Sequence, residues 1–147
     1  MALRVSSSIT IRRPIEDVFA ALTNVENTEK WWPAKVKEWW TSAPPHGVGS
    51  TRHAVATMGW FHFENDAVAT VYESPRLAVM KGTSKNAPFE ATLSFASVDG
   101  GTRVEVTTEM FLHGPAKLFG PMFTRWYGGN WERGLVKLRL MMESGEL

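Results

Sequence analysis

The stretch Phe89-Glu90-Ala91-Thr92-Leu93-Ser94-Phe95-Ala96-Ser97-Val98-Asp99-Gly100-Gly101-Thr102-Arg103-Val104-Glu105-Val106-Thr107-Thr108-Glu109-Met110 decides the fold class. In its first half Phe89, Ala91, Leu93 and Phe95 alternate with Glu90, Thr92 and Ser94. In its second half Val104 and Val106 alternate with Arg103, Glu105, Thr107 and Glu109. A period of two places one set of side chains on each face of a strand. The joint Val98-Asp99-Gly100-Gly101 has the composition of a tight hairpin turn. Two strands with one apolar and one polar face, joined by a short turn, imply an antiparallel sheet with one side in water.

Past this hairpin, His113-Gly114-Pro115 breaks the sheet and the period becomes helical over residues 116–142. Phe123, Tyr127, Trp131, Leu138 and Met142 fall on one stripe, with Arg133, Lys137 and Arg139 opposite. Unbroken, this helix spans about 40 Å. Gly128-Gly129 interrupts it at a cost of about 2 kcal/mol relative to alanines. Two readings stand: a kink or close approach within one helix, or a helix that begins only after Gly129.

Towards the N-terminus, five further strands are expected over residues 5–12, 36–41, 49–57, 61–72 and 77–82. The third and fourth of these join near Met58-Gly59. Residues 15–23 form a short helix after Pro14, with Glu16 and Asp17 in its first turn. Residues 24–32 read as a second short helix or a turn, stopped by Pro33. The order is strand, helix, helix, six strands, long helix. This is an α+β chain without the alternation of a nucleotide-binding fold, and it lacks GxGxxG and GxxxxGK.

Composition narrows the function. The chain of 147 residues is read as one domain, residues 1–147. Net charge is +1 with both signs interspersed, so nucleic acid is not an expected partner. No cysteine is present, which removes disulfides and thiolate chemistry. No apolar run approaches the length of a membrane span, and the first eight residues lack the apolar core of a signal peptide. A cytoplasmic monomer or homodimer is expected. The 7 Trp, 8 Phe and 7 Met fill a core or line an apolar pocket.

The run from Ile9 through Arg13-Pro14-Ile15-Glu16-Asp17-Val18-Phe19 to Thr23, then Trp31-Trp32-Pro33 and Gly47-Val48-Gly49, carries a family resemblance. So does Leu135-Val136-Lys137-Leu138 leading to Glu143. The chain resembles the START/Bet v 1-like (SRPBCC) superfamily, especially its polyketide cyclase/dehydrase and lipid-transport group. That resemblance implies a helix-grip fold, with a curved six- to seven-stranded sheet around the C-terminal helix and a cavity between them. It also implies an apolar or aromatic ligand, such as a lipid or polyketide, which is bound or, alternatively, cyclised or dehydrated.

The residues themselves make a parallel case. A curved sheet and one helix leave space that large side chains or a ligand must fill. Phe89, Leu93, Phe95, Val104, Val106, Phe123, Tyr127 and Trp131 are the expected walls, with His53 as a polar contact. Polar candidates for orienting or transforming a ligand are His53, His62, Glu64, Glu90, Tyr127 and Asn130. Phe61 and Phe63 share a phase that turns His62 outward, and Glu90 opposes Phe89 and Ala91. Trp31-Trp32 and Trp39-Trp40 suit packing where the short helices meet the sheet, or an aromatic gate. No HExxH, GxSxG or comparable spacing is present, and neither a metal nor another cofactor is expected.

Overall fold

A computed structural model describes residues 2–58, 61–83 and 88–147. The expected joint at Met58-Gly59 lies partly outside these residues. Seven strands form one antiparallel sheet in the order β1-β7-β6-β5-β4-β3-β2. The strands are β1 (Ala2–Ile11), β2 (Lys35–Trp40), β3 (Thr51–Met58), β4 (Phe61–Glu73), β5 (Leu77–Gly82), β6 (Phe89–Val98) and β7 (Gly101–Phe111). The helices are α1 (Ile15–Thr23), the one-turn α2 (Thr28–Trp31) and the long α3 (Gly120–Glu143). This is the α+β helix-grip arrangement, with the sheet curled around α3.

The hairpin that decided the class is present in register. Leu93 pairs with Val106 and Phe95 with Val104, so the alternating apolar sets share the inner face. β1 extends this face from the other side, with Ile9 opposite Val104. It starts three residues earlier than its strongest alternation suggests, because Leu3 and Val5 continue the same half-buried phase.

Ile11, Val18, Phe19, Leu22, Phe95, Val104, Leu135, Leu138 and Met142 make the core between sheet, α1 and the second half of α3. Each fully buried side chain of this kind contributes about 1.5–3 kcal/mol. Polar bonds fix the same end. Arg13 Nη1 donates to the Met142 carbonyl at 2.7 Å, and the Arg12 amide donates to Glu143 Oε2 at 3.0 Å.

α3 differs from the expected span in two ways. A 3-10 turn over Gly114–Phe119 precedes it, and it runs unbroken through Gly128-Gly129. The reading in which the helix starts after Gly129 is therefore corrected. A Cβ placed on Gly128 would lie 3.4 Å from Val5 Cγ1, so the pair marks where the helix lies along β1. Gly134 performs a similar service for α2, since a Cβ there would lie 3.1 Å from the Trp31 ring. Among the described residues no helix is long and apolar enough to cross a membrane.

Candidate functional site

The inner face of the sheet changes character from one edge to the other. On β1, β6 and β7 it carries Ile9, Val104, Val106, Leu93 and Phe95. On β3, β4 and β5 it carries the buried Ala54, Ala67, Ala69 and Ala78 with Gly82, and among them the larger Tyr72 and Met80. The first half of α3, which lies along β1 at Gly128, carries Phe123, Tyr127 and Trp131 at successive turns.

Two charges occupy the same face. Glu38 on β2 and Arg52 on β3 face inward and are nearly excluded from solvent, with Glu38 Oε2 3.4 Å from Arg52 Nε. Arg52 also donates to Asn65 Oδ1 on β4, and its guanidinium carbon lies 5.6 Å from the Phe89 ring centroid. The guanidinium thus has a carboxylate, an amide oxygen and an aromatic face around it, which is how an arginine is tolerated inside. Burial pushes the Glu38 carboxyl above its ordinary range, while Arg52 and the Thr28 hydroxyl act the other way.

Tyr127 completes the cluster from the helix side. Burial pushes its hydroxyl above the usual phenol range; the Trp131 and Thr108 side chains and Arg52 oppose this, and Glu38 adds to it. Thr108 Oγ1 and Trp131 Nε1 nevertheless lie in no full hydrogen-bond geometry, and neither do Asn130 Nδ2 and Trp31 Nε1. Asn130 meets only half its demand, its Oδ1 accepting from Arg133 Nη2 at 2.7 Å. Most buried polar groups are paired, and an orphan costs about 1–3 kcal/mol. Trp131 and Thr108 lie against the Tyr127 hydroxyl, whereas Trp31 Nε1 and Asn130 Nδ2 have no partner among the described residues.

The aromatic groups are in mutual contact. Phe123 stacks on Tyr127 at 5.5 Å, and Trp32 meets Tyr127 at 5.8 Å and Trp131 at 5.0 Å. Trp31 is buried against Trp131 at 5.7 Å. The two tryptophan pairs therefore differ. Trp31-Trp32 packs α2 onto α3, whereas Trp39-Trp40 is split between faces. Trp40 stacks on His46 at 4.0 Å, and Trp39 lies outside with His53 at 5.0 Å.

The expected site residues fall into three places. Leu93, Phe95, Val104, Val106 and Trp131 are buried in the core cluster, and Tyr127 packs against it. Phe123 and Phe89 are half-buried at its border. The Phe89 ring packs against Gly82, where a Cβ would come within 2.2 Å of it.

His53 is a correction. Its register partners are Trp39 and Asp66, on the opposite face of β3 from Arg52, and its Nδ1 lies 2.7 Å from Asp66 Oδ1. Arg52 takes the inward phase because partners for it stand on β2 and β4. His62, Glu64 and Glu90 are exposed, so the acid–base candidates of the sheet do not meet inside.

Sequence reading missed Glu38, Arg52, Asn65 and Thr108. A signal existed for the first two. Glu38 is in phase with Val36 and Trp40, and Arg52 with Ala54 and Ala56, so each is a charge in an apolar row. Among the described residues no group of His, Asp and Glu is placed to hold a metal. Two shallow surface clefts, one beside Ile15, Arg76 and Leu77, the other beside Glu29, Lys35 and Val55, share none of the inner polar residues.

Comparison with known proteins agrees with this architecture. A START superfamily protein from Mycobacterium smegmatis superposes with a TM-score of 0.78 at 14% identity, covering 96% of this chain and 97% of that one. The protein TTHA0849 from Thermus thermophilus gives 0.82 at 17% identity, over 99% and 100% of the two chains. The di-domain ARO/CYC StfQ of the steffimycin biosynthetic pathway gives 0.80 at 11% identity, over 99% of this chain and 52% of that one. At such identities the likeness is one of fold. No curated protein matches the sequence. The family model for polyketide cyclase/dehydrase and lipid transport matches residues 2–143, and the chain belongs to that family.

Proposed function

We propose that the chain binds an apolar or aromatic small molecule bearing at least one polar oxygen, such as a lipid or polyketide, between α3 and the inner face of β2–β5. The observation that carries this reading is the buried Glu38–Arg52 pair within electrostatic reach of Tyr127, whose ring lies in a cluster with Phe123, Trp32 and Trp131. The apolar walls supply affinity through burial, and the few polar groups orient the ligand. Arg52 and Trp131 Nε1 offer donors to a carbonyl or hydroxyl oxygen, while Thr108 Oγ1 can donate or accept.

The test is titration with a hydrophobic fluorophore, read by its emission and by quenching of tryptophan, together with native mass spectrometry of the purified protein. Saturable binding with one ligand per chain is expected, weakened by Trp131→Ala. Absence of both saturable binding and a bound mass would remove the reading.

A second reading, acid–base transformation of the bound molecule, has one specific support. Glu38 and Tyr127 are titratable groups within electrostatic reach of each other inside the fold. When protonated, Glu38 can hand a proton to a ligand oxygen, with Arg52 beside the carboxylate left behind. In enolisation that proton goes to the ketone oxygen while solvent water takes the α-proton, so deuterium exchange into a bound enolisable ketone, lowered in Glu38→Gln while binding persists, is the expected signature of that chemistry. Equal exchange in both proteins would exclude it.

A further inference from the structure

Three pairs of consecutive residues meet on neighbouring strands: Glu38-Trp39 on β2, Arg52-His53 on β3 and Asn65-Asp66 on β4. The strand period turns Glu38, Arg52 and Asn65 inward and Trp39, His53 and Asp66 outward. Inside, Arg52 reaches diagonally to Glu38 on one side and Asn65 on the other, both of which stand opposite Ala54. Outside, His53 stands directly opposite both Trp39 and Asp66. Each inner polar group is thus the chain neighbour of an outer one.

The outer contacts are specific. His53 Nδ1 lies 2.7 Å from Asp66 Oδ1, and its Nε2 lies 3.9 Å from Glu64 Oε1. A carboxylate only accepts, so Nδ1 carries a proton and donates it to Asp66. The Trp39 ring packs against the imidazole at 5.0 Å. The His53 side chain is 22% exposed against 65% for Asp66, so the ring is held at the surface rather than free in solvent. Asp66 is anchored in turn, its carbonyl accepting from the Thr83 amide at 2.9 Å and the Thr83 hydroxyl at 3.3 Å. β2 needs such a tie. It is the edge of the sheet and pairs only with β3. Local opening starts where few contacts hold a segment, and Glu38 meets Arg52 only while β2 keeps its place.

We propose that His53 is a positioning residue for Arg52. Held between Trp39 and Asp66, it locks β2, β3 and β4 together from the solvent side and so keeps the guanidinium between Glu38 and Asn65. The use of that placement rests on the ligand reading above: it sets a preference of the inner face for a molecule bearing a carbonyl oxygen over a plain hydrocarbon. An ordinary exposed ion pair contributes little and would do neither.

The test compares the wild type with His53→Ala and with His53→Asn, whose amide can still donate to Asp66. Asp66→Ala removes the same contact from the exposed side and should reproduce the effects of His53→Ala. Glu105→Ala, which breaks an exposed pair with Arg103 on β7, is the control. The first readout is the NMR resonance of Arg52 Nε–H in the ligand-free protein. It should shift or broaden in His53→Ala, and stay near its wild-type position in His53→Asn and Glu105→Ala. The second is calorimetric affinity for acetylnaphthalene and ethylnaphthalene, which differ by a carbonyl oxygen. His53→Ala should lower affinity for the ketone about three- to tenfold and change that for the hydrocarbon by less than about twofold. Placed in an Arg52→Lys protein, the same substitution should lower ketone affinity by less than about twofold, because the guanidinium through which it acts is gone. A moved resonance in a protein that binds neither probe would support the positioning and count against the ligand reading alone. An unmoved Arg52 resonance in both His53→Ala and Asp66→Ala, equal losses for the two probes, or an undiminished loss in the Arg52→Lys protein would overturn the proposal.

Discussion

Glu38 Oε2 lies 3.4 Å from Arg52 Nε on the adjoining strand, and both side chains are nearly excluded from water. The pair interrupts rows of alanine and aliphatic residues, so removing one partner leaves the other buried and uncompensated. Arg52→Leu is expected to lower stability by about 3 kcal/mol at neutral pH. Denaturant unfolding measures it, and a loss below about 1 kcal/mol would show that water already reaches Glu38.

The pH dependence carries its own sign. Glu38 has a native pKa above the ordinary value of 4.5, so the folded state holds that proton more tightly than the unfolded chain. Its contribution to stability is therefore greatest below the ordinary value. It falls as pH rises through the window up to the native value, and is constant above it. Glu38→Gln removes this titration. The stability of the wild type relative to Glu38→Gln should decline as pH rises through that window. Thermal midpoints of the two proteins across the acid range decide the matter, and a relative stability that rises with pH would contradict the assigned burial.

Tyr127→Phe separates packing from recognition. The Tyr127 hydroxyl is desolvated, and Thr108 Oγ1 and Trp131 Nε1 beside it lack full hydrogen bonds. Losing the hydroxyl should change stability by less than about 1 kcal/mol. It should weaken binding of a ligand bearing a carbonyl several-fold, and leave binding of a plain hydrocarbon probe unchanged. Calorimetry with matched probes tells these apart; equal losses for both probes would assign Tyr127 to packing alone.

These residues also show how far the sequence reached. The strand phases around Phe95 and Val104 were legible because a buried row beside an exposed row repeats every two residues. Tyr127 and Trp131 were legible because helical spacing puts them beside Leu138 and Met142. His53 was misplaced and Arg52 overlooked for one reason. A strand's period gives two faces but not which is inner when each carries a polar residue. Here the decision came from Glu38 and Asn65, which the sequence separates from Arg52 by 14 and 13 positions. The orphaned atoms of Thr108 and Asn130 depend on three-dimensional geometry and leave no mark in a pattern.

Gly82→Ala tests the aromatic wall near the charges. A Cβ there would stand 2.2 Å from the Phe89 ring, so the ring must swing away from the β5 backbone. Phe89 also covers the Arg52 guanidinium, 5.6 Å from its centroid. A destabilisation of about 1–3 kcal/mol is expected, together with altered fluorophore affinity. Unchanged thermal unfolding and affinity would mean that Phe89 is not held in this position.

Gly128→Ala and Gly129→Ala decide what the glycine pair is for. Both positions lie inside a continuous helix, where each glycine costs about 1 kcal/mol relative to alanine. Neither site lacks room. The added Cβ would meet Val5 Cγ1 at an ordinary 3.4 Å at position 128, and the mobile end of Arg133 at 3.2 Å at position 129. The double substitution should therefore raise stability by about 1–2 kcal/mol. If close packing on β1 were the purpose, it would lower stability instead. A rise in the thermal midpoint accompanied by slower fluorophore uptake in stopped-flow mixing would assign the pair to movement of the aromatic half of α3, relative to the half that Arg12 and Arg13 hold in place. A rise with unchanged uptake would leave the pair without a role in ligand entry.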